Sequence, residues 1–114
     1  MARLEVSAAY VLADEARDRL LLEPSTAIAM LEEVLRVWPR ERARSRGVQQ
    51  ARLALACAAA GESERAVAEG LTAVDVARAT KSDMTVRELK RLDRGLAACD
   101  MPAVGEFREA LAAL

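Results

Sequence analysis

The chain is 114 residues long, enough for one domain, and carries 17 Lys and Arg against 18 Asp and Glu for a formal charge of −1. That balance excludes capture of nucleic acid or of an anionic membrane by bulk attraction, and the lack of histidine beside only two cysteines, Cys57 and Cys99, leaves no material for a zinc centre. With five glycines, three prolines and 3% aromatics in a background of Ala, Leu, Arg and Glu, an all-α fold is expected, its helices packed closely on small side chains.

Over residues 2–23 the apolar residues Leu4, Ala8, Val11, Leu12, Leu20 and Leu21 recur at helical intervals, which predicts a first helix with that stripe inward. Pro24 stops it, and Ser25 or Thr26 is placed to cap a second helix running to about residue 37. In this second helix Ile28, Leu31, Leu35 and Trp38 form one apolar stripe, and Pro39 ends it. After a basic stretch a third helix carries Val48, Ala51, Leu55 and Ala58 and stops at Gly61, a residue suited to the left-handed conformation past a helix end. Ser63 is placed to cap a fourth helix over residues 64–80, with Val67, Leu71 and Val74 inward, and Lys81-Ser82-Asp83 breaks it. A fifth helix follows with Val86, Leu89, Leu92 and Leu96 inward. Thr85 and Glu88 have capping-box spacing, with Ser82 or Asp83 as an alternative cap one turn earlier. Asp100 before Met101-Pro102 suits the start of a sixth helix, with Val104, Phe107, Leu111 and Leu114 on one face. Cys57 and Cys99 fall within the helical patterns and read as small, reduced residues of the core.

Short connections make neighbouring helices antiparallel and predict three hairpins, about residues 2–38, 41–80 and 83–114, in a single domain spanning 1–114. The segment from Leu53-Ala54 through Cys57-Ala58-Ala59-Ala60-Gly61-Glu62 to Ala66 and Ala73 resembles a tetratricopeptide repeat. It has leucine and a small residue on the first helix, Gly-Glu at the turn, and two alanines seven apart on the second. Ala27, Leu31, Val34 and Pro39 resemble the second half of a preceding repeat, and Ala103, Phe107 and Ala110 that of a following one. Aligning Ala27, Ala66 and Ala103 gives irregular repeats stacked as a short superhelical array.

A narrower resemblance lies in the runs Gly47 to Ala54, Ala73 to Asp83 and Arg87 to Asp93, with Phe107-Arg108-Glu109-Ala110-Leu111 near the end. These are similar to the C-terminal tetratricopeptide-like region of actinobacterial, Streptomyces-type, helix-turn-helix transcriptional regulators. In that family the region follows a DNA-binding domain and earlier repeats, neither of which lies within these residues. The resemblance implies a role in transcription regulation through protein contacts.

No catalytic constellation is present: there is no histidine base and no Gly-rich phosphate loop, and the five serines sit as caps or surface residues. A non-enzymatic module without a cofactor is expected. The first residues lack the order of a signal peptide and no apolar run spans a bilayer, so no membrane association and a cytoplasmic location are expected. Arg87, Lys90, Arg91 and Arg94 fall at i, i+3, i+4 and i+7, a basic stripe opposite Leu89, Leu92 and Leu96 and a candidate site for an acidic protein or peptide. Arg36, Arg40, Arg42, Arg44 and Arg46 form a secondary candidate patch, interrupted by one acid, Glu41. Direct nucleic-acid binding is disfavoured. Self-association as a homodimer through Leu4, Ala8 and Val11 is a variant of the partner reading. The alternative is a small-molecule-sensing helical domain, with a pocket near Trp38, that controls an attached DNA-binding regulator.

Overall fold

The computed structural model describes residues 4–114, so Ala2 and Arg3, expected in the first helix, lie outside the described residues. Six helices follow one another: α1 (Val6–Arg19), α2 (Pro24–Val37), α3 (Ala43–Ala59), α4 (Ser63–Thr80), α5 (Asp83–Gly95) and α6 (Pro102–Ala112), with no strand among the described residues. The architecture is all-α, a short array of helical hairpins.

Helix ends depart from the sequence expectation for local chemical reasons. Pro24 and Pro102 occupy the first turns of α2 and α6, where a missing N–H costs nothing, and neither helix has a side-chain cap. Ser25, Thr26 and Asp100 therefore do not cap. Ser63 lies inside α4, which begins after an uncapped Glu62. α1 ends at Arg19, short of residue 23, and turns through residues 20–23 into Pro24. Gly61 takes φ +81°, donating to Ala58 O at 3.1 Å while Glu62 N donates to Cys57 O at 2.8 Å, the paired bonds of a Schellman end. Lys81 ends α4 in the same left-handed region, φ 57°, without being glycine. At α5 it is Ser82 that caps, accepting from Thr85 N at 3.2 Å. Thr85 itself is fully buried and its hydroxyl donates to Ser82 Oγ, so the Thr85 and Glu88 capping box does not form.

α3 sits at the centre, packed on α2, α4 and α5, and is the most buried helix. α1 rests on α2, and α6 leans mainly on α4 rather than on its hairpin partner α5. The buried stripe of α1 is Ala9, Ala13, Ala16 and Leu20, whereas Ala8, Val11 and Leu21 face solvent. Of the expected stripe, Leu20 is buried and Leu4 and Leu12 pack half-buried against the core, so the inward face is turned only partly from the expected one. Three alanines let α1 approach α2 closely, and the bulkier Val11 is displaced outward. Leu71, Val86 and Leu111 are only half-buried, and Leu114 is exposed.

Close approach recurs at the seams between hairpins, and two glycines mark it. A Cβ on Gly47 of α3 would lie 2.8 Å from Val76 Cγ1 and 2.9 Å from Thr85 Oγ1, where α3, α4 and α5 converge. A Cβ on Gly70 of α4 would lie 2.7 Å from Leu92 Cδ2 and 3.1 Å from the Phe107 ring, where α4, α5 and α6 converge. One main apolar core runs from Ala16 and Leu20 to Val104 and Phe107. A smaller one, Ala9, Ala13, Val34 and Trp38, fastens the first hairpin on itself.

Candidate functional site

The arginines between α2 and α3 are largely committed to the fold. Arg46 Nη1 donates to Leu35 O at 2.9 Å and to Trp38 O at 3.4 Å, satisfying carbonyls at the C-terminal end of α2. Arg44 does the same for α4, donating to Thr80 O and Lys81 O. A cation at a helix C-terminus also meets the negative end of the helix dipole. The Arg42 guanidinium lies 5.6 Å over the Tyr10 ring, and Arg36 pairs with Glu33 at 2.7 Å. Arg40 is exposed with no partner among the described residues. The five residues do not converge on one surface cleft.

On α5, Leu89, Leu92 and Leu96 are buried, and Arg87, Lys90 and Arg94 are exposed on the opposite side. Their neighbours divide the stripe. Lys90 borders a cleft of about 460 Å³ with Val86, Asp93, Arg108, Leu111 and Leu114. Arg91 leans toward α3 and donates from Nη1 to both oxygens of Glu88, at 3.1 and 3.4 Å. Arg94 joins Arg91 at a notch of about 220 Å³ whose other walls are Leu21, Leu55, Ala58, Ala59 and Gly95.

That notch is one end of a groove whose floor is α3 and whose walls are α1 and α5. Toward the other end a cleft of about 450 Å³ is lined by Arg17 of α1, by Arg44, Ser45, Val48, Gln49 and Arg52 of α3, and by Ser82, Asp83 and Met84 at the start of α5. The spacing of Ser45, Val48, Gln49, Arg52, Leu55 and Ala59 makes them one stripe of α3 that forms the floor of the groove, with Val48, Gln49 and Leu55 buried, Ser45 and Arg52 half-buried and Ala59 exposed. Between the two clefts lies Glu88, only 8% exposed, with Oε2 3.6 Å from Arg52 Nε. Burial pulls the Arg52 guanidinium below its ordinary pKa, the charge of Glu88 opposes that pull, and the nearby charges of Arg17 and Arg91 add to it. Arg52 Nε and Gln49 Oε1 are buried without a hydrogen-bond partner. Glu88 is thus shared by Arg52 and Arg91, while Arg17, paired with Asp14 and Asp18 at the rim, and Arg44 and Asp83 at the far end complete the charges of the groove.

Of the residues expected at a site from sequence, Arg44, Arg91 and Arg94 line the groove, whereas Arg17, Gln49, Arg52 and Glu88 were missed. The signal for Arg52 was present: it is the lone charge in an apolar run from Ala51 to Ala60. Glu88 was read as a capping residue because its spacing from Thr85 satisfies that rule too.

Trp38 is 7% exposed, enclosed by Ala9, Ala13 and Val34, with the Tyr10 ring edge-on at 4.8 Å and its Nε1 donating to Ser45 Oγ at 3.1 Å. None of the clefts above reaches it. Among the described residues no helix is long and apolar enough to cross a membrane. No protein-family model, no curated protein and no solved structure matches this chain.

Proposed function

We propose that this protein is a non-catalytic interaction module of regulatory type, a tetratricopeptide-like tail of a transcriptional regulator, that holds a protein or peptide partner in the groove over α3. The observation that carries this reading is the gathering of four arginines, Arg17, Arg52, Arg91 and Arg94, of which Arg52 and Arg91 share the single carboxylate of Glu88, with apolar Leu21, Leu55 and Ala59 along a single concave face. Such a surface offers charge for specificity and on-rate beside apolar area for affinity. Binding needs no catalytic group and no cofactor, and the cytoplasm is the compartment in which a regulator's partner would be met. Self-association through the exposed Ala8 and Val11 on α1 is a variant, and light scattering that finds a strict monomer at high concentration removes it.

The second reading, a small-molecule-sensing domain controlling an attached DNA-binding regulator, has less support because Trp38 is enclosed by its neighbours and its indole N–H is already bonded. The test of the leading reading is capture of partners from a cytoplasmic lysate by the full chain and by the Arg87→Glu, Arg94→Glu double variant. Both residues are exposed, so the fold is expected to change by no more than about 1 kcal/mol. Loss of a captured protein, with the circular dichroism unchanged, is expected. Identical capture by both chains refutes the basic surface as the site.

A further inference from the structure

We infer that the floor of the groove receives one carboxylate side chain of the partner, with an apolar partner side chain seated about one helical turn further along. This rests on the interaction-module reading and names its ligand: a segment of a protein in which an acidic residue and a leucine-like residue share one face.

The charge argument starts from Glu88. Its two oxygens already accept from Arg91 Nη1, and Oε2 lies 3.6 Å from Arg52 Nε. Both terminal nitrogens of Arg52 and the second terminal nitrogen of Arg91 then have no acceptor among the described residues. Arg17 across the groove adds a third positive charge, held only loosely by Asp14 at 3.7 Å and Asp18 at 3.5 Å. The Arg52 side chain is 13% exposed, so its donors have lost most of their water and gain more from an ionised acceptor than surface arginines do. A carboxylate fits this deficit, and a cation is repelled by it. Gln49 lines the same cleft with Oε1 unpartnered, an acceptor beside the basic centre that suits a donor N–H of a peptide segment.

The geometry adds the second requirement. Leu21 lies one turn beyond Arg17, and Leu55 and Ala59 lie one and two turns beyond Arg52, so the apolar notch follows the basic centre by about 5 Å per turn along the groove. An acid and an apolar residue three or four apart on a helix match one turn. So do residues two apart in an extended segment, at about 6.5 Å.

The test is selection from a displayed library of random linear peptides on the full chain, followed by fluorescence anisotropy with the enriched peptide made synthetically. The expected result is enrichment of Asp or Glu paired with Leu, Ile, Met or Phe at one of those spacings. Replacing that acid by its amide is expected to weaken binding by at least about tenfold, and added salt to weaken it further. Arg52→Gln should lose binding to a similar degree. Because this leaves Glu88 with one partner fewer, Ala59→Glu provides the independent variant: it is exposed, keeps the helix, and places a carboxylate beside Arg91 and Arg94. It too should lose at least about tenfold, whereas Arg87→Glu, outside the groove, should stay within about twofold. The inference is overturned by selected peptides without an acid, by peptides that need only a free C-terminus, by failure to select any, or by binding indifferent to Arg52→Gln and Ala59→Glu. Each of these leaves the interaction-module reading to stand or fall on the lysate experiment.

Discussion

Replacing Gly70 by alanine tests the seam that joins α4 to α5 and α6. The added Cβ would meet Leu92 Cδ2 at 2.7 Å and the Phe107 ring at 3.1 and 3.4 Å, against about 3.5 to 4.0 Å for comfortable carbon contact. Leu92 and Phe107 are both fully buried, so neither can swing into solvent, and relief requires a new Leu92 rotamer within the packed core or a shift of a helix. Overpacking of this kind costs about 1 to 3 kcal/mol, while exchanging glycine for alanine inside a helix returns about 1 kcal/mol. Gly105 of α6 is the control, since a Cβ there meets nothing within 4 Å and only the helical gain applies. The propensity contribution is common to both variants, so their difference isolates the seam. Urea unfolding followed by helical circular dichroism should find Gly105→Ala stabilised by about 0.5 to 1 kcal/mol and Gly70→Ala less stable than it by about 1 to 3 kcal/mol. If the two variants gain equally, α4 and α6 do not approach as closely as described and the argument is wrong.

Lys81→Gly should stabilise the protein by about 0.5 to 1 kcal/mol, because the left-handed φ of 57° strains any residue with a Cβ; thermal unfolding measures it. Arg46→Ala should cost about 1 to 2 kcal/mol through loss of its bonds to the α2 carbonyls, and Arg40→Ala less than about 0.5 kcal/mol; equal losses in urea titration would mean that the Arg46 bonds contribute nothing. Burial pushes the Cys57 thiol from 9.0 up to about 11, so alkylation near pH 8 should label the half-buried Cys99 alone until the chain is unfolded. Since the folded form holds its proton longer than the unfolded one, this contribution is complete below about pH 9 and is lost as pH rises through about 11. A Cys57→Ser variant should show a smaller alkaline loss.

Helix number and most boundaries were legible because periodicity, Pro24, Pro39, Gly61 and Pro102 are strong local signals. The inward face of α1 was legible only in part: Leu4, Leu12 and Leu20 pack inward as expected, but Ala9, Ala13 and Ala16 take the seam in place of Ala8 and Val11, because the partner helix selects the stripe that permits close approach. The basic stripe on α5 was legible as a helical face, but its division between a groove and an α6 cleft depends on where α3 and α6 lie. Arg44 and Arg46 look like a charged patch in one dimension because the carbonyls they serve belong to other helices, 36 and 11 residues away in sequence. Long-range hydrogen bonding of this kind leaves no local pattern.

The division of the interior into two apolar clusters has a dynamic consequence. The N-terminal half of α1 closes on Ala9, Ala13, Val34 and Trp38 alone, only Ala16 and Leu20 at its far end join the main core, and α1 has no extensive neighbour but α2. The amides of α1 should therefore exchange with deuterium through a local opening well below the free energy of global unfolding, while those of α3 report the global event. Arg17 stands on that weakly held helix, and Arg52 on the firmly held one. A ligand that spans both would suppress exchange in α1 selectively, so protection of the first helix becomes a readout of groove occupancy without any label on the ligand.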